Sequence, residues 1–307
     1  MKNWVSYQNG NYTVKLNTKN GTKIRENDLS FFDAEFPESA DVKITNRCSN
    51  GCSFCHEGST KDGKHSDALH SPVWESFHPY TEVALGGGNL MEYPDFVPLL
   101  ERLKTLKLIP NITVHQWDFE KNFDLIKKLS DEKLIYGLGV SLDKVTPEFI
   151  DKMKQFPNGV IHVINGIVTG VQMMALANNG LKILILGYKT VRRGNKLYHS
   201  NVGYAIDKRK DLLYNHLEMI LKENWFKVVS FDNLAIKQLK PQRLVSEEYW
   251  NICFMGEDYN TMTSASMYID LVENEFACNS CDVNNRYKIE NKTVTQMYQF
   301  LKEKYNG

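Results

Sequence analysis

From residue 41 onward, the chain alternates short β-prone apolar runs with longer segments of helical periodicity, joined by short connections. Strands that alternate with helices form parallel βαβ units, because each helix returns the chain to the same end of the sheet. The pattern predicts strands near residues 41–46, 81–86, 111–116, 134–142, 159–165, 181–187 and 226–231. It predicts helices between them, near residues 71–78, 93–107, 120–130, 146–155, 167–179 and 203–223. We therefore expect an α/β fold, a full or partial (β/α)6 parallel barrel of the TIM type.

Two segments flank this predicted barrel. In the first, the turn Lys19-Asn20-Gly21 lies between two β-prone runs and predicts a β-hairpin. In the second, a strand-like run, Met267–Val272, is accompanied by three further cysteines. We expect an N-terminal hairpin over residues 1–40, the barrel over residues 41–235 and a C-terminal extension over residues 236–307.

The charge balance and the cysteine count limit the partners of the chain. Its 307 residues include 37 acidic and 37 basic side chains, so the formal net charge is zero. Overall charge therefore does not favour binding to nucleic acid or to a membrane surface, and no apolar run approaches the ~20 residues that span a bilayer. Lys189, Arg192, Arg193 and Lys196 form a local basic stretch, which is ordinarily a solvated surface loop. Six cysteines in a chain of this length favour a reducing cytoplasm over a secreted disulfide framework.

Three of the six cysteines lie in one short stretch, Cys48-Ser49-Asn50-Gly51-Cys52-Ser53-Phe54-Cys55, directly after the first predicted strand of the barrel. Three thiolates on one loop can converge on a single soft metal centre, and iron–sulfur clusters are held by such ligands. A four-iron cluster needs four ligands, so three cysteines leave one iron open to a small molecule. The spacing therefore predicts an iron–sulfur cluster with a free coordination site.

Other sites could use the same residues. Zinc accepts a Cys3His shell, which Cys48, Cys52, Cys55 and His56 could supply. The stretch from Cys52 to His56 also matches a c-type haem attachment motif, although that interpretation leaves Cys48 without a role. Three unrelated buried thiols are a further alternative, which the close spacing disfavours.

A glycine run follows the second predicted strand. Glycine lets a backbone approach a ligand closely, and Gly86, Gly87 and Gly88 stand where the ligand-binding ends of parallel strands collect. Its position about thirty residues past the cysteines makes the run a candidate ligand-binding segment.

The cysteine spacing, with Phe54 before the last cysteine, resembles that of the radical S-adenosylmethionine (SAM) superfamily, and Gly86–Gly88 resembles its Gly-Gly-Glu segment. The resemblance implies a [4Fe-4S] cluster on Cys48, Cys52 and Cys55, with SAM bound at the free iron. It implies reductive cleavage of SAM to a 5′-deoxyadenosyl radical, which abstracts hydrogen from an unidentified peptide, nucleoside or small metabolite. The electron would come from a one-electron reductant such as flavodoxin or ferredoxin.

The resemblance implies further SAM contacts along the barrel mouth. Asn89 stands where the superfamily often has an acidic residue, so the SAM amino group would rely on backbone carbonyls there. At the ends of later strands, Ser141 and Asp143 would face the ribose and carboxylate, and Asn165 the adenine edge. Asp143 could instead cap the following helix. Gly187 and Lys189 end the sixth strand, where Lys189 could reach the SAM carboxylate or the substrate, or be an ordinary surface lysine.

The C-terminal cysteines leave several roles open. Cys253, Cys278 and Cys281 could hold a second iron–sulfur cluster, resembling the auxiliary clusters of peptide-modifying radical SAM enzymes. They could bind zinc with Asp282 as a fourth ligand, or be ordinary thiols. Alternatively, Cys253 could donate a hydrogen atom to a substrate radical.

Two segments, Leu186–Lys189 and Met267–Asp270, carry a closer resemblance to uncharacterised radical SAM proteins of bacterial and phage genomes. The resemblance to those proteins does not indicate a substrate for this chain. A second class of function also stays open, a non-enzymatic binding module in which zinc occupies both cysteine sets and the glycines only turn the chain.

Overall fold

The computed structural model describes residues 3–29, 31–254 and 264–306, which form two β-sheets and ten α-helices. The smaller sheet has three strands, β1 (Trp4–Asn9), β2 (Tyr12–Asn17) and β3 (Lys23–Glu26). The strands of the larger sheet are β4 (Ser39–Thr45), β5 (Glu82–Gly87), β6 (Ile109–His115), β7 (Gly137–Ser141), β8 (Gly159–Ile164), β9 (Lys182–Leu186), β10 (Val228–Phe231), β11 (Ser266–Asp270), β12 (Glu275–Ala277) and β13 (Tyr287–Lys288). The helices are α1 (Phe96–Thr105), α2 (Gln116–Lys121), α3 (Phe123–Asp131), α4 (Pro147–Lys154), α5 (Gly170–Leu176), α6 (Arg192–Tyr198), α7 (Gly203–Lys222), α8 (Asn233–Leu239), α9 (Glu247–Cys253) and α10 (Val294–Asn306).

The larger sheet is a partial barrel of the TIM type, as predicted. Its order is β10-β9-β8-β7-β6-β5-β4-β11-β12-β13, and β4 to β10 pair in parallel with their neighbours along the chain. Within the described residues β10 and β13 do not pair with each other, so the sheet stays open. The carboxyl ends of seven consecutive parallel strands therefore meet at one edge, where ligands bind in folds of this kind.

Hydrophobic periodicity explains why these segments form these elements. In β4, Ala40, Val42 and Ile44 are buried in the core, while the intervening residues point to the opposite face of the sheet. In α1, Phe96, Leu99, Leu100 and Leu103 are buried, at the spacing that places apolar side chains on one helix face. The core lies between this layer of helices and the sheet.

Several boundaries differ from the prediction. The helix expected near residues 120–130 is two helices, α2 and α3, which meet at Asn122. The helix expected near residues 71–78 is a short 3-10 helix at Pro72–Ser76. The strand-like run at 267–272 is confirmed as β11, but it pairs in parallel with β4, so the barrel sheet extends into the C-terminal segment.

The predicted N-terminal hairpin is present as β2 and β3, and β1 adds a third antiparallel strand that the sequence did not signal. Its turn includes Gly21, whose φ of +76° suits glycine. The turn lies against the amino-terminal end of the barrel, where Asn158 Nδ2 donates to the carbonyl of Lys19 at 3.0 Å. The small sheet therefore sits at the end of the barrel opposite to the ligand-binding edge.

None of the described helices is long and apolar enough to cross a membrane.

A buried carboxylate joins the small sheet to the barrel. The Glu38 side chain, 1% exposed, accepts hydrogen bonds from Arg25 Nε at 2.8 Å and from the Tyr12 hydroxyl at 2.6 Å. Its other oxygen accepts from Arg25 Nη2 at 2.8 Å. Burial alone would raise the pKa of Glu38, but the Arg25 hydrogen bonds, the charges of Lys23 and Arg25 and the Tyr12 hydroxyl hold it below its usual range. The carboxylate is therefore charged and fully paired at neutral pH.

Replacement of Glu38 by alanine should destabilise the fold by about 3–5 kcal/mol, because Arg25 then stays buried without its partner. Glu26→Ala is the matched control, since the Lys15–Glu26 pair is about half exposed and such pairs contribute at most about 1 kcal/mol. Urea unfolding followed by circular dichroism measures both. Equal losses of stability in the two variants would contradict this account.

Candidate metal and cofactor site

The three clustered cysteines lie on a loop that leaves β4 and returns along itself. The amide of Asn46 donates to the carbonyl of Lys64 at 2.8 Å, and that of Cys48 donates to Thr60 at 2.8 Å. Within the loop, the Cys55 amide donates to the Cys52 carbonyl at 3.2 Å, which closes a turn. The loop is therefore held by its own backbone hydrogen bonds, and it carries all three thiols.

The three thiols are half-buried and form no disulfide. Burial raises the pKa of Cys52, and the neighbouring thiols of Cys55 and Cys48 raise it further. Burial also raises the pKa of Cys48. The thiols therefore interact with one another electrostatically, and a bound cation would stabilise their thiolate forms.

The thiols do not form a ready-made metal site in the part of the chain that the structure describes. Over the described ranges, no group of three or more His, Cys, Asp or Glu side chains is placed to hold a metal ion. His56, the fourth ligand of the alternative zinc site, has its Nε2 atom 3.3 Å from Glu57 Oε1. Three free thiols on one self-supported loop suit the donor set of a four-iron cluster.

The glycine run continues the pairing between β4 and β5 into the cysteine loop. The amide of Gly88 donates to the carbonyl of Thr45 at 2.7 Å, and that of Asn89 donates to Arg47 at 2.7 Å. A Cβ at Gly88 would lie 2.0 Å from the Arg47 carbonyl oxygen, and Gly87 has a φ of +106°. By contrast, a Cβ at Gly86 would meet nothing within 4 Å. The positive φ at position 87 and the close Arg47 carbonyl at position 88 thus require glycine at both positions, while Gly86 borders open space.

Asn89 takes part in a polar network that the sequence did not reveal. Its buried amide donates to Asp118 Oδ1 at 2.9 Å and to Glu92 Oε1 at 3.1 Å. Asp118 Oδ2 accepts from Asn50 Nδ2, within the cysteine loop, at 2.6 Å. The Asn89 side chain therefore supports the loop through Asp118.

A cleft of about 390 Å³ opens beside the cysteine loop. Cys52 and Phe54 line it together with Ser141 and Asp143, so four of the predicted site residues share one cavity. Thr146, not Asp143, caps α4, because its side chain accepts a hydrogen bond from the Phe149 amide at 3.1 Å. The alternative role of Asp143 as a helix cap is wrong.

His162 is a cleft residue to which the sequence assigned no role. Its Cα is paired in register with that of Ser141, which is paired in turn with His115 on β6. Burial lowers the pKa of His162 to about 4, so the imidazole is neutral at pH 7. A Cβ at Gly139 would lie 2.4 Å from the His162 ring, so this glycine makes room for it. No local sequence signal separates His162 from a core histidine.

Seven predicted SAM contacts lie outside the residues that line the cleft, namely Gly86, Gly87, Gly88 and Asn89, described above, together with Asn165, Gly187 and Lys189. Asn165 is fully buried, and its Nδ2 donates to Gln238 Oε1 at 3.0 Å. Gly187 packs against α8, where a Cβ would lie 2.5 Å from Leu234 Cγ. Lys189 Nζ donates to Ser280 Oγ at 3.1 Å. Asn165, Gly187 and Lys189 thus each contact another part of the protein and do not line the cleft.

A buried ion group ties the end of the cysteine loop to the barrel. Lys43 Nζ lies 2.9 Å from Asp270 Oδ2 and 3.3 Å from Glu57 Oε2, and all three side chains are less than one tenth exposed. Burial alone would raise the pKa of Glu57, but His56, Lys43 and Arg192 hold it well below its usual range. Glu57 lies two residues after Cys55, so this group joins the loop to β4 and β11.

The C-terminal cysteines differ in their surroundings. Cys253 is exposed at the end of α9, Cys278 is buried and Cys281 is half-buried. The carboxylate of Asp282 accepts hydrogen bonds from Asn285 and from the Tyr305 hydroxyl. The second cluster, the zinc site and the hydrogen-donor role of Cys253 stay predictions.

Gly88→Ala should destabilise the protein by about 1–3 kcal/mol, because the new methyl group would force the Arg47 carbonyl and the loop to move. Gly86→Ala, the matched control two residues earlier, has room and should leave stability unchanged or raise it by up to about 1 kcal/mol. Urea unfolding compares the two variants. A loss in Gly86→Ala as large as that in Gly88→Ala would contradict the assigned packing.

Comparison with known proteins gives a likeness of fold. No protein-family model matches the chain, and no curated protein sequence matches it. Streptococcus suis SuiB bound to precursor peptide SuiA superposes with a TM-score of 0.62 at 14% identity, over 97% of this chain and 87% of SuiB. SuiB bound to S-adenosylmethionine gives a TM-score of 0.62 at 13% identity with the same coverage. The chain therefore shares the fold of SuiB over nearly its whole length.

Proposed function

We propose that this protein is a radical SAM enzyme, in which Cys48, Cys52 and Cys55 hold a [4Fe-4S] cluster and SAM occupies the adjoining cleft. The observation that carries this proposal is the shared cavity. Cys52 and Phe54 line the same cleft, of about 390 Å³, as Ser141 and Asp143 from the end of β7. One of the clustered cysteines and the polar side chains at the end of a different strand thus line the same cavity.

The likeness to SuiB supports the same assignment independently of the cysteine motif. That fold carries SAM in one SuiB structure, and here it covers almost the entire chain. When bound, a four-iron cluster with one free iron supplies the electron that breaks the carbon–sulfur bond of SAM, which yields methionine and a 5′-deoxyadenosyl radical.

The side chains of the cleft have distinct roles in this proposal. Ser141 and Asp143 present a hydroxyl and a carboxylate to SAM. The carboxylate accepts hydrogen bonds from the hydroxyl or ammonium groups of SAM. The backbone of Asp143 is fixed on both sides, since its amide donates to Gln116 Oε1 at 2.9 Å and its carbonyl accepts from Gln172 Nε2 at 2.9 Å. Phe54 and Trp117 contribute aromatic surface to the cleft.

A peptide is the substrate class that the comparison favours. The SuiB structure with precursor peptide SuiA shows that this fold accommodates a peptide in that protein. We therefore propose a peptide substrate for this chain as well.

Reduced, anaerobically reconstituted protein should convert SAM to 5′-deoxyadenosine and methionine, quantified by liquid chromatography with dithionite or flavodoxin as the reductant. Cys52→Ala should reduce this conversion to the protein-free background, because one cluster ligand is lost. Lys61→Ala is the control, since Lys61 is an exposed residue of the same loop and should keep the activity of the intact chain. Equal turnover by Cys52→Ala and the intact chain would contradict the assignment of the site.

A further inference from the structure

The cysteine loop bends between its first two cysteines, and a side chain from α2 holds the bend. Asn50 lies midway between Cys48 and Cys52, and Gly51 follows it with a φ of +65°, which suits glycine. Asn50 is half-buried, and its Nδ2 donates to Asp118 Oδ2 at 2.6 Å. The part of the loop that separates these two cysteines is therefore anchored to the helix that follows β6.

The same carboxylate also holds the segment that follows the glycine run. Asn89 Nδ2 donates to the other oxygen of Asp118, Oδ1, at 2.9 Å. Asn89 is fixed from its other side as well, because its Oδ1 accepts from the Met91 amide at 3.0 Å. Asn89 and Asp118 are both less than one tenth exposed. Asp118 thus joins the cysteine loop and the end of β5 to α2.

The two partners of Asp118 determine which chemical group position 118 must carry. Both partners are amide NH2 groups, and an ionised carboxylate can accept from two donors at once through its two oxygens. An amide at this position would have one oxygen and one NH2 group, so it would turn a donor toward either Asn50 or Asn89. A buried donor that faces another donor is left without an acceptor, which is unfavourable. The arrangement therefore requires a carboxylate.

The hydrogen bond between Asn50 and Asp118 also spans two walls of the cleft. Asn50 and Cys52 line the cleft from the cysteine loop, and Trp117, the neighbour of Asp118, lines it from α2. The bond between the two walls therefore fixes where the loop and its cysteines lie relative to the cleft.

We propose that Asp118 is a positioning residue of the metal centre, which keeps Cys48 and Cys52 in place for the cluster by accepting the hydrogen bond from Asn50. This inference rests on the proposed function. Outer contacts that orient the ligands of a metal site typically weaken metal binding about 10–100-fold when they are removed. A loop that is already held in place also loses less conformational freedom when its thiolates bind the metal.

The test is the rate at which the full-length reconstituted protein loses iron to the chelator ferrozine under anaerobic conditions, followed by the absorbance of the iron–ferrozine complex. Asp118→Asn should release iron about 10–100-fold faster than the intact chain, because the hydrogen bond from Asn50 is lost. Asp124→Asn is the matched control, since it makes the same change at an exposed position of α3 and should leave the rate unchanged.

A double variant, Asn50→Asp with Asp118→Asn, exchanges the donor and the acceptor of this hydrogen bond. The new amide at position 118 can donate to the new carboxylate at position 50, while its oxygen accepts from Asn89. The double variant should therefore release iron at nearly the rate of the intact chain. General damage to the fold by Asp118→Asn would not be repaired by a second substitution in the cysteine loop.

An unchanged rate of iron release in Asp118→Asn would overturn the inference, and so would a double variant that releases iron as fast as Asp118→Asn alone. If Asp118→Asn takes up no iron, the double variant decides, because restored uptake supports the inference and absent uptake refutes it. Failure of the intact chain to take up iron would instead refute the proposed function itself.

Discussion

The architecture of the candidate site depends on the buried charge of Lys43. A lysine that is 3% exposed costs considerable desolvation free energy, which close ion pairs must offset. Here its two partners come from different parts of the chain, Glu57 from the end of the cysteine loop and Asp270 from β11. Loss of one partner from such a group costs about 3–5 kcal/mol, so the loop, the first barrel strand and the C-terminal strand are energetically linked.

The cysteine loop is held from three directions in addition to this ion group. Gly87 and Gly88 allow the end of β5 to pair with the beginning of the cysteine loop, and Asp118 supports the loop through Asn50. Arg193 binds its end at Ser59. A ligand-bearing loop held in this way loses little conformational freedom when it binds a metal centre, which favours binding. The same contacts fix the loop beside the cleft in which we propose that SAM binds.

Local sequence signals predicted the fold well, because strand periodicity and the cysteine spacing are properties of short segments. The parallel strands from β4 to β10 and the position of the cysteine loop at their carboxyl ends are confirmed. The sequence did not reveal partners that lie far apart along the chain, such as Lys43 and Asp270 or Arg193 and Ser59. The family resemblance places Asn89 and Lys189 beside SAM, and it did not reveal the tertiary contacts of their side chains with Asp118 and Ser280.

The central claim is that the first three cysteines hold an iron–sulfur cluster. The most direct measurement is the iron, sulfide and zinc content of the protein after anaerobic reconstitution, compared with a variant in which Cys48, Cys52 and Cys55 are all alanine. If these cysteines hold the cluster, the variant should lose about four irons and four sulfides per chain. Zinc without iron in the intact chain, or equal iron in both proteins, would contradict it.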